Sequence, residues 1–275
     1  MAVRDILVVV GGEPASMRRV HQVIDLAGRL GAGVTGAFLR PMFPLSDYGA
    51  GGAWMSQGLL QEAVEAHALV VDRTEARAQR AFLAAAELQH LAADWIVLDT
   101  VQQLVERARL SDLVVVPPGP LPEGGEVTIS AGQLGLACGG PLLVIPDHLG
   151  EMSIGRRVLA CWNGSRESAR AWRDAWPFIL AADHVAVAAV RSRPDFDDDA
   201  ALRFRLSRWD REVEVLSEPA PGDLASNVLR RKARGWGSDL LVMGLYGRPR
   251  ISETVLGGVS HEFLADPPCP LLISH

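Results

Sequence analysis

Two short apolar runs mark the start of two similar halves of the chain. The first covers residues 5–10 and is followed by a Gly-Gly pair, and the second covers residues 157–162 and is followed by Asn-Gly. After each run, apolar residues recur with the period of an amphipathic helix. These positions are Val20, Val23, Ile24, Ala27 and Leu30 in the first half and Ala169, Trp172, Trp176 and Ile179 in the second. Each half is therefore predicted to begin with a strand, a turn and one helix.

The later apolar runs recur in the same order in both halves. Residues 111–116 match residues 238–243, because both read Ser-Asp followed by four apolar residues, and residues 140–145 match residues 269–274. The remaining strands are predicted at 34–39 and 95–98 in the first half and at 185–190 and 213–216 in the second. Strands that alternate with helices are typical of βαβ units, so the predicted fold class is α/β, with two tandem doubly wound five-stranded parallel sheets.

The boundary between the halves is predicted in the polar segment 146–155. This segment contains proline and glycine and joins the last strand of one half to the first strand of the next. We therefore predict two domains, covering residues 1–147 and 148–275.

An insertion distinguishes the first half from the second. Residues 41–58 are rich in glycine, proline and serine, and a helical pattern follows from about residue 59 to residue 93. The corresponding segment of the second half is shorter, and its pattern centres on Leu202, Leu206 and Trp209. The two halves are thus expected to differ most after their second strands.

Composition excludes several classes of partner. A formal net charge of −6 gives no field that would attract nucleic acid or an anionic membrane, so neither is expected. Cys138, Cys161 and Cys269 lack zinc-type spacing, which predicts reduced, buried thiols, no disulfides and no structural metal. The apolar runs are too short for a signal peptide or a membrane span. The protein is therefore expected to be cytoplasmic.

A group of glycines after the apolar run 240–243 carries the candidate chemistry. Glycine lets backbone N–H groups approach an anion, and the start of a helix, predicted here at 260–265, adds donors and a favourable dipole. In a doubly wound sheet, ligands bind in this place, where the carboxyl ends of the first and fourth strands meet. The group consists of Gly244, Gly247, Gly257, Gly258, Val259 and Ser260. A phosphate site is therefore predicted here.

The spacing Gly-x2-Gly-x9-Gly resembles the nucleotide-binding signature of the universal stress protein family, in which Ser or Thr follows. The whole chain is similar to a tandem member of that family, since Asp-Leu-Leu-Val-Met-Gly in the fourth strand and Pro-Cys-Pro-Leu-Leu-Ile at the end are typical of it. The resemblance implies the family's adenine nucleotide alpha hydrolase-like fold. One position departs from the pattern, because Gly258 stands where the family usually has the hydroxyl residue.

The resemblance also implies a site for ATP or AMP in the second half. Asn163 matches the family's first-strand acidic residue and would face the adenosine moiety, while Val190 would meet the adenine. Gly244 and Gly247 would let the ribose and phosphates come close. The phosphates would be held by Gly257, Gly258, Val259 and Ser260. The sequence leaves open whether Mg²⁺ accompanies the nucleotide, since the family site carries metal only through the phosphates.

Alternative interpretations stay open for several residues near this site. Arg248 either clamps phosphates or is a solvated loop charge. Ser260 either donates its hydroxyl to a phosphate or caps the helix that it starts. Trp162 is expected to point away from Asn163 into the core, because side chains alternate along a strand. His261 is expected to lie on the surface of the helix.

The first half lacks the glycine spacing. Its corresponding segment, residues 117–125, contains prolines, which have no N–H to donate, and an added carboxylate, so this domain is predicted to be degenerate and not to bind nucleotide. The resemblance implies that domains pair along their fifth strands, which a tandem chain can do internally as a pseudo-dimer. A further association of two chains as a homodimer is left open.

The function hypothesis that follows is a cytoplasmic stress-response protein in which bound ATP or AMP regulates contact with a protein partner that the sequence does not identify. Binding, more than turnover, is the expected activity. One alternative is a slow ATPase, although the chain lacks a Walker loop. The other is an interaction scaffold whose nucleotide site has decayed.

Overall fold

The computed structural model describes residues 2–44, 57–121, 129–150, 152–191, 200, 203–204, 207–208, 213–219, 224–245 and 258–275. The strands are β1 (Asp5–Val9), β2 (Gly33–Leu39), β3 (Ala93–Leu98), β4 (Leu113–Val116), β5 (Leu142–Val144), β6 (Arg157–Trp162), β7 (His184–Arg191), β8 (Val213–Pro219), β9 (Leu240–Gly244) and β10 (Leu271–Ser274). The main helices are α1 (Pro14–Leu30), α2 (Gln57–Leu88), α3 (Val101–Ala108), α4 (Ala131–Cys138), α5 (Arg166–Asp174), α6 (Trp176–Ala181), α7 (Ala225–Trp236) and α8 (Gly258–Ala265).

The strands form one ten-stranded sheet in the order β3-β2-β1-β4-β5-β10-β9-β6-β7-β8. Pairing is parallel within each half, and the halves meet where β5 pairs antiparallel with β10, with Leu143 opposite Leu272. Each half therefore repeats the same order of its own five strands, as expected for a doubly wound α/β fold. The two fifth strands pair within one chain, as the resemblance implied. The boundary between residues 147 and 148 stays a prediction.

Helices cover both faces of the sheet, because the strand side chains alternate between two apolar cores. In β1, Ile6 and Val8 face one core, and Leu7 and Val9 face the other. The first core receives side chains from α1, α2, α5 and α6, and the second receives them from α3, α4, α7 and α8. Each core contains residues of both halves, so the halves share their apolar interior.

Local sequence signals account for several helix ends. Pro14 opens α1, and Gly31 ends it in the left-handed region, at a φ of 66°. The N-cap hydroxyls of Thr100 and Ser130 begin α3 and α4 as capping boxes. The single helix predicted after β6 was wrong, since it divides at Ala175 into α5 and α6. Pro177 explains the division, because it has no N–H to continue the ladder of the first helix.

The predicted long helix is present as α2, which runs from Gln57 to Leu88, five residues short of its expected end. Residues 45–56 of the insertion lie outside the described residues, as do Leu202, Leu206 and Trp209. Among the helices that the structure describes, none is long and apolar enough to span a membrane.

The repeated Ser-Asp pair has the same structural role in both halves. In the first half, the Asp112 carboxylate accepts hydrogen bonds from the backbone N–H groups of Arg4 and Asp5, at 2.7 and 3.1 Å. In the second half, Asp239 is buried and accepts three such bonds, at 2.9 to 3.0 Å. Its donors are Gly155, Arg156 and Arg157. Each aspartate therefore anchors the start of the first strand of its half.

The predicted linker lies along the polar face of α1. Arg19, only 2% exposed, donates to the Asp147 carboxylate at 2.5 Å. The Gln22 side chain donates to the carbonyl of Gly150 at 3.2 Å, and about two turns further along α1 Arg29 donates to the carbonyl of Ile154. These contacts fix the path of the chain between the halves.

Replacing Asp147 by alanine is expected to lower the free energy of unfolding by about 1–2 kcal/mol, because Arg19 would stay buried with the Glu13 carboxylate, 4.0 Å away, in place of its close partner. The expected loss is modest since Asp147 is 45% exposed and water can partly replace it. Urea denaturation measures the change. Asp183→Ala is the matched control, because Asp183 pairs with Arg156 at 3.5 Å on the surface and should cost little. Equal losses in the two variants would contradict the role given to Arg19.

Candidate functional site

The candidate site lies where the strand order reverses in the second half, between β6 and β9. These strands are parallel neighbours, with Ala160 opposite Val242, so their carboxyl ends reach the same edge of the sheet. On its other side β6 pairs with β7, and Trp162 stands opposite Ala189. Continuing that register places Asn163 beside Val190. The sheet therefore brings together the segments that contain two of the predicted site residues.

The turn after β6 is built from three short polar and glycine residues. The Asn163 side-chain carbonyl accepts a hydrogen bond from the Ser165 N–H at 3.1 Å, and Gly164 takes a φ of 75°. Ser165 then caps α5 by accepting from the Ser168 N–H at 3.1 Å. Asn163 is exposed, and its amide NH₂ points to no partner that the described residues supply. The amide therefore orders the turn and keeps two donors for another group.

Gly244 ends β9 at a place where no larger residue fits. A Cβ on this residue would lie 2.5 Å from the carbonyl carbon of Glu167 and 2.6 Å from the backbone nitrogen of Ser168. Both atoms belong to the first turn of α5, which packs on β9 and β10. The close approach of this helix therefore accounts for glycine at position 244 by packing alone.

Helix α8, which follows the glycine-rich segment, contacts the end of β9, the strand that precedes the segment. The Ser260 hydroxyl donates to the Gly244 carbonyl at 3.2 Å, and Ser260 is 9% exposed. Ser260 lies inside α8, which begins at Gly258, so the prediction that it caps the helix was wrong. A cap would have to precede the first turn, whereas this hydroxyl closes the loop onto β9. Both ends of the glycine-rich segment therefore meet at the crevice.

An ion pair lies beside the crevice, in the first turn of α5. Glu167 is buried, and its carboxylate accepts a hydrogen bond from the exposed guanidinium of Arg166. Burial acts to raise the pKa of Glu167, but the hydrogen bond and charge of Arg166, together with hydrogen bonds from the Glu167 backbone and the Ser165 side chain, outweigh it and hold that pKa below its ordinary value. The same bond raises the pKa of Arg166. Glu167 is therefore ionised at neutral pH, and sequence reasoning missed it, although its place two residues after a Ser cap was readable.

The remaining predicted residues fall into three groups. The side chain of Val259 is half-buried against the core, so it would offer a ligand only its backbone. The backbone of Val190 lies in β7, but its side chain is outside the described residues, and the backbone of Gly258 begins α8. Gly247, Arg248 and Gly257 lie outside the described residues. Their roles stay predictions.

Other candidate chemistry near the site is not supported by its surroundings. Burial raises the pKa of Cys161 to about 12 and that of Cys269 to about 11, so neither is a thiolate at neutral pH. Cys138 is buried too, and its pKa is also raised by burial. As predicted, Trp162 packs with Trp172 in the core, and His261 is exposed. The described residues contain no group of three or more side chains suited to hold a metal ion.

A doubly wound sheet with this crevice defines the general class, and solved structures define the fold more closely. A universal stress protein from Archaeoglobus fulgidus DSM 4304 aligns with a TM-score of 0.73 at 15% identity, over 98% of this chain and 97% of that chain. A provisionally assigned universal stress protein from Pseudomonas aeruginosa UCBPP-PA14 gives 0.54 at 16% identity, over 99% and 93%. A functionally unknown protein from Pseudomonas aeruginosa PAO1 gives 0.53 at 15% identity, over 99% and 92%.

Neither a protein-family model nor a curated protein sequence matches this chain. At such low identity the structural likeness establishes the fold and leaves the ligand open. The chain therefore has the universal stress protein fold along nearly its whole length, with the fold of one domain repeated in tandem. The resemblance that the sequence suggested is confirmed at the level of fold.

Proposed function

We propose that the second half binds an adenine nucleotide, ATP or AMP, in the crevice between β6 and β9, and that occupancy regulates contact with a protein partner during stress. The hydrogen bond from Ser260 to Gly244 is the observation that carries this proposal. It supports the proposal because it brings both ends of the glycine-rich segment to the part of the sheet where this class of fold binds ligands.

Backbone donors are the groups best suited to hold the phosphates. The first N–H groups of a helix have no partner within the helix, and in α8 they belong to Gly258, Val259 and Ser260. The one hydroxyl proton of Ser260 is already donated to Gly244, so a phosphate would have to compete for it. The proposed site therefore relies on backbone N–H groups, and Mg²⁺ would be held through the phosphates.

The adenosine would lie toward β6 and β7. Asn163 keeps two amide donors on an exposed turn, and the register places Val190 beside it on the next strand. The Asn163 side chain carries no charge. Among the described residues, the anionic side chain in the first turn of α5 is that of Glu167. Because that charge is paired with Arg166, it opposes a phosphate less than a bare carboxylate would.

The first half is proposed to serve as a partner domain without nucleotide. In the segment after β4, Pro120 and Ser130 form an antiparallel bridge, and the Leu121 N–H donates to the Ile129 carbonyl at 2.9 Å. Leu121 is fully buried in the core. We further propose that the chain works in the cytoplasm as two domains divided at residues 147 and 148.

A specific observation favours one alternative, an interaction scaffold without nucleotide. Gly244 is explained by the contact with α5, so this glycine by itself does not require a ligand. Gly258 also replaces the hydroxyl residue of the family pattern. Slow ATP hydrolysis is the remaining alternative. Release of ADP by the wild type, but not by a variant that does not bind nucleotide, would favour it.

Titration calorimetry and native mass spectrometry with ATP and AMP test the proposal. We expect one nucleotide per chain, and at a hundredfold excess over the dissociation constant a gain of about 2.7 kcal/mol in stability. The Gly257→Val variant should lose binding because a side chain would obstruct approach to the helix N-terminus. Gly150→Val is the control, since a Cβ there meets nothing within 4 Å. A folded wild type that binds neither nucleotide at millimolar concentration would favour the scaffold instead.

A further inference from the structure

The first part of α2 is less buried than the second part. The buried residues of this 32-residue helix begin at Val71 and continue with Ala78, Phe82 and Ala86. Residues 57–70, named here the outer segment, contain no buried residue, although His67 contacts the Pro41 carbonyl at 3.2 Å and the ring of Phe43. At 1.5 Å per residue, this segment is about 20 Å long. Tertiary packing therefore stabilises the second part of the helix far more than the first.

The outer segment nevertheless carries exposed apolar residues. Leu69 is 58% exposed and Val70 is 61% exposed, and Glu62 and Glu65 are the only formally charged residues between 57 and 70. A helix of this length is marginal in water without packing, and exposed apolar residues on it favour contact with another surface. The segment therefore has the properties of a helix that packs against another protein surface.

One side of the helix carries an ordered set of exposed residues, which we name the docking face. It consists of Glu62, Ala66, Leu69 and Arg73, whose spacing of four, three and four residues aligns them along the helix. Among the described residues, neither the Glu62 nor the Arg73 side chain makes a hydrogen bond or an ion pair. The neighbouring side chain of Asp72, in contrast, pairs with Arg40 at 2.9 Å. The docking face thus has an unpaired acid at one end, apolar residues in the middle and an unpaired base at the other.

We propose that this face binds the same face of a second copy of the chain, with the two helices antiparallel. A two-fold axis between residues 67 and 68 would place Glu62 against Arg73 of the second copy, and Ala66 against Leu69 of the second copy. Two identical ion pairs would then bracket an apolar centre, as an isologous interface requires. A parallel arrangement would place like charges together, so the charge order of the face selects the antiparallel one.

This interface is separate from the proposed nucleotide site. Helix α2 packs near β2 and β3, and β3 is an outer strand of the sheet, whereas the site lies between β6 and β9. Its contact area would be small for a specific interface, so we expect a dimer with a micromolar dissociation constant. The dimer does not depend on nucleotide, and its failure would leave the proposed function untouched.

Sedimentation equilibrium of the full chain, between about 1 and 100 µM, tests the proposal. We expect wild type to dimerise, and Leu69→Asp to remain monomeric with an unchanged circular dichroism spectrum. Glu62→Arg and Arg73→Glu should each raise the dissociation constant by about tenfold, since each places like charges at both ends of the interface. Glu87→Arg, at the far end of the same helix, makes the same change in charge and should have no effect.

Mixing the two reversed variants gives the decisive result. In a mixed pair, Arg at position 62 of one chain faces Glu at position 73 of the other, and the native pair forms at the opposite end. We therefore expect the mixture to form heterodimers with nearly the wild-type dissociation constant. A monomeric wild type at about 100 µM overturns the proposal, as does a dimer that Leu69→Asp leaves intact or a mixture that stays monomeric.

Discussion

Gly244→Val is expected to lower the free energy of unfolding by about 3 kcal/mol or more. The new Cβ would lie 2.5 Å from the carbonyl carbon of Glu167 and 2.6 Å from the nitrogen of Ser168. Both atoms are backbone, so no change of side-chain rotamer can relieve the overlap, and α5 must move away from β9. That movement would also disturb the turn of Asn163 at the edge of the proposed site.

Urea denaturation of Gly244→Val measures this loss, and Gly28→Ala is its control. Gly28 lies within α1 with nothing within 4 Å of its Cβ position, so alanine there should stabilise the protein by about 0.5–1 kcal/mol. A Gly244→Val protein as stable as wild type would show that the contact with α5 does not fix this glycine, and a direct role in ligand binding would then explain it better.

Asp239→Ala is expected to cost about 3 kcal/mol, because it removes the acceptor of three backbone N–H groups at the start of β6. Asp239 is buried, so water cannot easily replace the lost carboxylate, and the Gly155 N–H that it binds is buried too. The loss should appear as a lower midpoint of urea unfolding with an unchanged slope.

The first half provides the matched control for this change. Asp112→Ala removes two hydrogen bonds from an exposed aspartate, and water can reach the donors, so the expected cost is about 1 kcal/mol. If the two variants lost the same stability, burial of Asp239 would not be the reason for its importance. The pair therefore separates the effect of burial from that of the repeated Ser-Asp sequence.

Most of the fold was readable from local pattern. Alternating apolar runs and helical periods predicted the order of strands and helices, because a strand or helix that hides one face must repeat its apolar residues at a fixed interval. The pattern could not reveal the division between α5 and α6, since Trp172, Trp176 and Ile179 keep a helical period across Pro177. The missing N–H of the proline outweighed the periodicity.

The site was predicted less completely than the fold. The glycine spacing indicated the crevice, but the chemistry there depends on contacts between segments far apart in sequence. Ser260 meets Gly244 across 16 residues, and Gly244 meets the first turn of α5 across a still longer separation. Glu167 was missed because its burial results from the packing of α5 on β9, which no local pattern encodes.

By itself, the sequence determined the α/β class, the tandem repeat and the place of the glycine-rich segment, since these follow from periodicity and spacing along the chain. The tertiary structure alone decided that α1 fixes the linker through Arg19, that the Ser260 hydroxyl is already donated to Gly244, and that Glu62 and Arg73 lie on one exposed face of α2. Such properties depend on which distant atoms become neighbours, and this is settled by packing around the shared cores.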